Sequence, residues 1–193
     1  WAKSVCFFVR CKIQVSGKEI ISKTNSHVIF CANHLSNFDI IAIYRAVDRP
    51  IYFIAKKELS KIPFLGWYMK AAGMIFIDRS NREKAINSMS EAGELIKKGR
   101  SVITFPEGTR SKTGNIGKFK KGSFLIAYND QIPIIPIAIK NSNRINPYNS
   151  LRIYKTTIKV NIGDIIDDYS KFNSPDELTD YTLKKVKKLL KEI

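Results

Sequence analysis

Residues 27–47 read HVIFCANHLSNFDIIAIYRAV. HVIFCA is a short, nearly continuous apolar run, as expected of a strand buried on both faces. From Ser36 onward the apolar residues take helical spacing. Ser36, followed three positions later by Asp39, makes the start signature of a capping box. Between strand and helix lies a turn carrying His34, one of only two histidines in the chain. A strand that passes through a tight turn into a helix is the repeating piece of an α/β domain.

The same alternation continues on both sides. Upstream, residues 9–15 alternate apolar and polar, so Val9, Cys11, Ile13 and Val15 are expected on one face of a half-buried strand. Downstream, IYFIA, MIFID, SVITF and IIPIAI read as further strands. IPFLGWYMKAAG reads as a short helix or a turn-rich element. Residues 82–98 are helical in pattern, with Ala85, Met89, Ala92 and Ile96 on one stripe and Gly99 placed to end the helix. A loop rich in Gly, Ser, Thr and Lys occupies residues 106–122, and a helix is expected over 123–129. LRIYKTTIKVNIGDII supplies one or two more strands. The last helix has Ser174 as N-cap, Pro175 at its first position and Glu177 at its third. The expected fold is a single α/β domain over residues 1–193, with a central, largely parallel β-sheet flanked by helices. No repeat, linker or low-complexity segment divides it.

Composition narrows the partners. The chain of 193 residues carries a net charge of +16, and 44% of its residues are hydrophobic. That is a globular composition with a strong bias toward anionic partners: nucleic acid, a phospholipid surface or a phosphorylated substrate. Cys6, Cys11 and Cys31 form no CxxC and cannot all pair, which suits a reduced, cytosolic setting. Two scattered histidines argue against a zinc site. The longest apolar run, IPIIPIAI, holds two prolines and is far short of the ~18 residues of a membrane span. SVCFFV, near the start at Trp1, is expected to be the tail of a longer apolar, membrane-associated segment absent from this chain, so that residues 1–15 hold that tail and the first strand.

His34 and Asp39 should meet at the C-terminal edge of the sheet, where open α/β folds place their ligands. An Asp carboxylate under imidazole Nδ1–H would turn Nε2 outward as an acceptor, which is the base and orienter of a triad without its protein nucleophile. Alternatively, Asp39 only caps its helix. FPEGTRS, residues 105–111, also follows a strand; Gly108 permits close backbone approach and Arg110 offers a planar donor fork. Taken alone it is also an ordinary polar turn. Arg79, in GMIFIDRS, stands at another strand end. G-x-S-x-G, Walker A, H-E-x-x-H and G-x-G-x-x-G are all absent, and GNIGKF is only superficially a P-loop.

In this order, NHLSNFD, GMIFIDR, FPEGTRS and IPIIPIAI resemble the four motif blocks of the glycerolipid acyltransferases, most closely those acting on lysophosphatidic acid. The resemblance spans residues 28–139 and includes a compatible AKKEL at residues 55–59. It implies His34 as general base and Asp39 as its orienter. It implies that Arg79 and Arg110 bind the substrate phosphate, with Lys56 nearby. Glu107, Gly108 and Thr109 would shape the glycerol-phosphate site, and Pro133 and Pro136 belong to a buried strand that shapes the pocket. Leu35 stands where the family often has a polar residue. The implied reaction moves an acyl chain from acyl-CoA or acyl carrier protein to the 2-hydroxyl of 1-acyl-sn-glycerol-3-phosphate, without metal, cofactor or acyl-enzyme. The implied location is the cytoplasmic face of a membrane.

Two other readings remain at this level. One is a sister acyltransferase using another lysolipid or glycerol-3-phosphate. The other is a non-catalytic basic module for membranes or nucleic acid. Nucleic acid is disfavoured because the basic residues do not interleave with aromatics in any recognised binding motif. Over residues 174–193, Leu178, Tyr181, Val186, Leu189 and Ile193 fall near one stripe, and lysines 184, 187, 188 and 191 fall mostly elsewhere. Such a helix either packs on the sheet with a solvated lysine face or also touches anionic lipid.

Overall fold

The computed structural model describes the chain except for Trp1, Asn25, Ser26, Arg79, Asn146 and residues 148–151. Among the described residues the order is α1 (Ala2–Phe8), β1 (Lys12–Ser16), α2 (Lys18–Ser22), β2 (Ile29–Ala32), α3 (Phe38–Ala46), β3 (Ile51–Lys56), a 3₁₀ turn (Lys57–Lys61), α4 (Leu65–Ala71), β4 (Ile75–Ile77), α5 (Arg82–Lys97), β5 (Ser101–Thr104), α6 (Gly122–Asp130), β6 (Ile134–Lys140), α7 (Ser142–Ile145), β7 (Thr157–Ile162) and α8 (Pro175–Lys191). The strands form one sheet in the order β1-β7-β6-β2-β5-β3-β4. Every neighbouring pair is parallel except β6 with β7. The expectation of a largely parallel α/β sheet holds.

Side chains alternate across each strand, so the two faces of the sheet feed two separate cores. Val28, Phe30 and Ala32 enter one core with Ile135, Ile137 and Ile139, beneath Ala42, Ile43 and Ala46 of α3. Ile29 and Cys31 enter the other with Ile134 and Ala138, beneath Ala92 and Ile96 of α5, Phe124 of α6 and Leu178 and Val186 of α8. Burial on both sides is why β2 and most of β6 read as apolar runs, while β5 buries Ser101 and Thr104 on either side of Val102 and Ile103.

Three local expectations change. The strand expected over residues 9–15 begins only at Lys12. Val9 to Cys11 turn the chain out of α1 instead, with Arg10 at φ 51° and the Cys11 N–H on the Cys6 carbonyl. Alternation could not separate a turn from a strand start over so few residues. In α8 the buried stripe is Leu178, Thr179, Thr182 and Val186, and Tyr181 lies outside it as an exposed residue. The two threonines enter the core by giving their hydroxyls to the carbonyls of Pro175 and Leu178. Of the stripe expected on α5, Ala92 and Ile96 are fully buried. No described helix is long and apolar enough to cross a membrane.

Candidate active site

β2, β3 and β5 run parallel, so their C-terminal ends, and the turns that follow, share one edge. His34 follows β2, Lys56 ends β3 and the FPEGTRS loop follows β5. The turn after β2 is built around Asp39, which is fully buried. Its Oδ2 lies 2.7 Å from His34 Nδ1 and accepts the N–H groups of Leu35 (2.6 Å) and Ser36 (2.9 Å). Ser36 Oγ in turn accepts the Phe38 N–H at 3.0 Å. Asp39 thus makes the acid half of a capping box, while the Ser36 hydroxyl takes the N–H of Phe38 rather than that of Asp39; the regular helix begins at Phe38, and Asn37 at its cap position makes no side-chain bond. The two uses of Asp39 left open by the sequence are thus one arrangement. The acid that closes the helix start also holds the imidazole. Because a carboxylate only accepts, it fixes the proton on Nδ1 and leaves Nε2 as the ring's acceptor.

The second motif is stitched to the first through the backbone. Glu107 is buried, and both its oxygens are committed: Oε1 accepts the His34 N–H and Oε2 the Gly117 N–H, each at 2.8 Å. The Ser111 N–H returns to the His34 carbonyl at 2.8 Å. Both backbone polar groups of His34 are therefore held by the 105–117 segment. Phe105 stacks on the imidazole, ring centres 4.1 Å apart and planes 16° from parallel. The loop turns at Gly108, whose φ of 72° is left-handed backbone that a Cβ would strain.

The sequence motif conceals one further positioning residue, Asn33. Its buried carboxamide gives a hydrogen to the Ile139 carbonyl (2.9 Å) and accepts the Ile139 N–H (2.7 Å). It continues the β2–β6 ladder with a side chain after the strand has ended. A polar residue set directly against a fully apolar strand is the signal that could have found it. Cys31, on the same strand, is fully buried, and desolvation, with Glu107 adding to it, pushes its thiol far above the usual range. It is not a nucleophile.

In front of His34 lies a cavity of about 420 Å³. Ile40, Phe53, Ile54, Leu59, Met69 and Phe105 give it an apolar wall, and Lys56, Gly108, Thr109 and Arg110 give it a polar, cationic rim. Of the residues expected at the site, His34, Lys56, Gly108, Thr109 and Arg110 line this cavity; Asp39 and Glu107 stand behind it. Arg79 lies outside the described residues. Of the IPIIPIAI run, Ile134–Ile139 are buried strand as expected and Ile139 is tied to Asn33 beside the site, whereas Pro133 precedes β6 and is half-buried. Pro136 lines a separate hollow of about 300 Å³, beside Gly163 and Leu189 and away from His34. Among the described residues, no three His, Cys, Asp or Glu side chains come together as a metal site.

The comparisons with known proteins agree with this geometry. The acyltransferase family profile matches residues 12–140, more than half of the chain. The chain is 38% identical over 152 residues to a 1-acyl-sn-glycerol-3-phosphate acyltransferase of Saccharomyces cerevisiae, covering 74% of this chain and 50% of that one. It is 31% identical over 180 residues to a Borreliella burgdorferi protein of the same name, covering 91% and 72%. The crystal structure of the 1-acyl-sn-glycerophosphate acyltransferase of Thermotoga maritima superimposes with a TM-score of 0.86 at 32% identity, over 99% of this chain and 76% of that one. The chain spans about half the length of several curated relatives, 46% of a chloroplast one from Brassica napus among them. Fold, motif order and relatives converge: this chain belongs to the acyltransferase family.

Proposed function

We propose that this chain transfers an acyl group from a thioester, acyl-CoA or acyl carrier protein, to the 2-hydroxyl of 1-acyl-sn-glycerol-3-phosphate, giving phosphatidic acid. The observation that carries the reading is the 2.7 Å contact between His34 Nδ1 and the buried Asp39. It leaves Nε2 as a base beside a cavity with an apolar wall and a cationic rim. That combination suits an acceptor with one fatty chain and one phosphate, the acceptor for which the relatives are named.

In the proposed reaction His34 Nε2 takes the hydroxyl proton as the oxygen attacks the thioester carbonyl. The tetrahedral intermediate then expels the thiolate, which takes the proton back from the imidazolium. A thiolate leaves readily, so the reaction calls for no metal or cofactor and no acyl-enzyme. Arg110 and Lys56, with Arg79, hold the phosphate and so fix which hydroxyl meets the base. Glu107 acts indirectly, by fixing the peptide that carries His34. The chain works at the cytoplasmic face of a membrane, where its +16 charge favours anionic lipid.

Thiol release measured with and without lysophosphatidic acid tests the reading. Release should require the acceptor. Glycerol-3-phosphate and lysophosphatidylcholine should be poor substitutes, and faster release with either would replace the proposed acceptor. Running acyl-CoA beside acyl carrier protein identifies the donor.

A further inference from the structure

Five of the large apolar side chains that stand exposed lie within seven residues: Ile62 (44%), Phe64 (80%), Leu65 (44%), Trp67 (63%) and Tyr68 (61%). They form a ridge over the turn into α4. The ridge has a firm base. Gly66 is buried against the preceding 3₁₀ turn so closely that a Cβ there would lie 2.2 Å from the Ser60 carbonyl oxygen. The Gly66 N–H bonds the Ile62 carbonyl at 2.7 Å, and the Tyr68 N–H the Phe64 carbonyl at 2.9 Å. Phe64 itself sits at φ 61°, a strained setting for a bulky residue, and its ring meets that of Trp67 edge-on, 5.3 Å between centres. A strained backbone here holds an aromatic ring out of the fold, where packing within the chain gains nothing from it.

Two neighbouring facts indicate what meets the ridge. Between Glu58 and Asp78 the sequence has no acidic residue, while Lys61 and Lys70 bracket the ridge and are exposed. The residues on either side of it, Leu59 and Met69, line the His34 cavity. Exposed aromatics ringed by lysines, at the mouth of an apolar cavity, match the interfacial layer of an anionic bilayer, where Trp and Tyr rest between headgroups and chains and lysines meet phosphate.

We propose that the ridge of Ile62, Phe64, Leu65, Trp67 and Tyr68 inserts into the interfacial layer of a phospholipid bilayer and sets the cavity mouth against the lipid that supplies its acceptor. The choice of lipid rests on the acyl-transfer reading above; the insertion itself is tested without it. The full chain carrying Trp1→Phe keeps Trp67 as its only tryptophan. On adding phosphatidylcholine vesicles containing phosphatidylglycerol, Trp67 emission should shift to the blue, and lipids brominated on the acyl chain should quench it. The double substitution Phe64→Ser, Tyr68→Ser should weaken cosedimentation with these vesicles about tenfold. It should lower turnover of vesicle-borne acceptor similarly, and leave turnover of a dissolved short-chain acceptor unchanged.

Vesicle binding with Trp67 emission unshifted and unquenched would overturn the proposal while leaving membrane association and acyl transfer intact. So would an emission shift that follows protein concentration rather than lipid, which would make the ridge a self-association face. Insertion by a chain that transfers no acyl group would support the ridge and refute the activity.

Discussion

Two helices in this protein open with the same signature, a serine followed three residues later by an acid. At α8, Ser174 Oγ accepts the Glu177 N–H at 3.3 Å, and Glu177 reaches back to the Asn173 N–H at 2.8 Å. Glu177 is exposed and also accepts the Asn173 carboxamide N–H at 3.2 Å. At α3, Asp39 takes the Ser36 N–H and Ser36 Oγ takes the Phe38 N–H, but Asp39 is fully buried and also takes His34 Nδ1. The larger difference is not in the cap. It lies in what stands before it: a histidine two residues upstream, at the end of a central parallel strand, enclosed by the Glu107 loop. The signature alone announces a helix start, and the strand and histidine turn that start into a holder for an imidazole.

The comparison fails most visibly if His34 is dispensable. His34→Ala should lower turnover by about 10²–10⁴-fold, the usual yield of general base catalysis, in the thiol-release assay. Asp39→Asn against Glu177→Gln is the direct contrast. Asp39→Asn should depress turnover by on the order of a hundredfold or more, because a carboxamide can present its N–H₂ to the ring and favour the wrong tautomer. Glu177→Gln should leave turnover unchanged. Two variants that both keep activity and differ only in melting temperature would reduce Asp39 to a cap.

A smaller effect is expected where the site meets solvent. Arg110→Lys should weaken use of the acceptor by about 10- to 100-fold, because a lysine cannot copy the guanidinium fork on phosphate. The Michaelis constant for the donor should stay put. If the donor constant rises instead, this loop serves the donor. The smallest effects concern the serines, whose hydroxyls each accept one N–H from the first turn of the helix that follows. Ser36→Ala and Ser174→Ala should each cost about 1 kcal/mol in denaturant unfolding. Neither should change turnover as Asp39→Asn does, and a large turnover loss from Ser36→Ala would tie the whole box to the chemistry.

Much of this was legible in the chain. Strands buried on both faces announce themselves as apolar runs, so β2 and β6 were readable, and Ser174 with Pro175 marked α8 within a residue. His34 and Asp39 were readable as a pair because their partners are local. Glu107 shows where legibility ends. Its partners, the N–H groups of His34 and Gly117, are backbone groups, one of them 73 positions away, and backbone partners leave no trace in residue identity. The apolar cavity wall was hidden for a related reason. Ile40, Phe53 and Met69 look like core residues, and only the assembled edge shows that they face a void.

Asn33 has a consequence for how the protein can change over generations. Because its carboxamide must land on Ile139, it works as a caliper between two strands far apart in sequence. Adding or removing one residue anywhere from 29 to 33, or from 134 to 139, would leave that caliper closed on the wrong peptide and turn the strand's faces inside out. In the loop after Ser111 the bonds are local ones, from Ser111 Oγ to the Asn115 carbonyl at 2.7 Å and from the Asn115 N–H to Thr113 Oγ1 at 3.3 Å. Length variation among descendants of this sequence should therefore collect in residues 112–116 and be missing from both strands, even where the individual side chains of those strands drift.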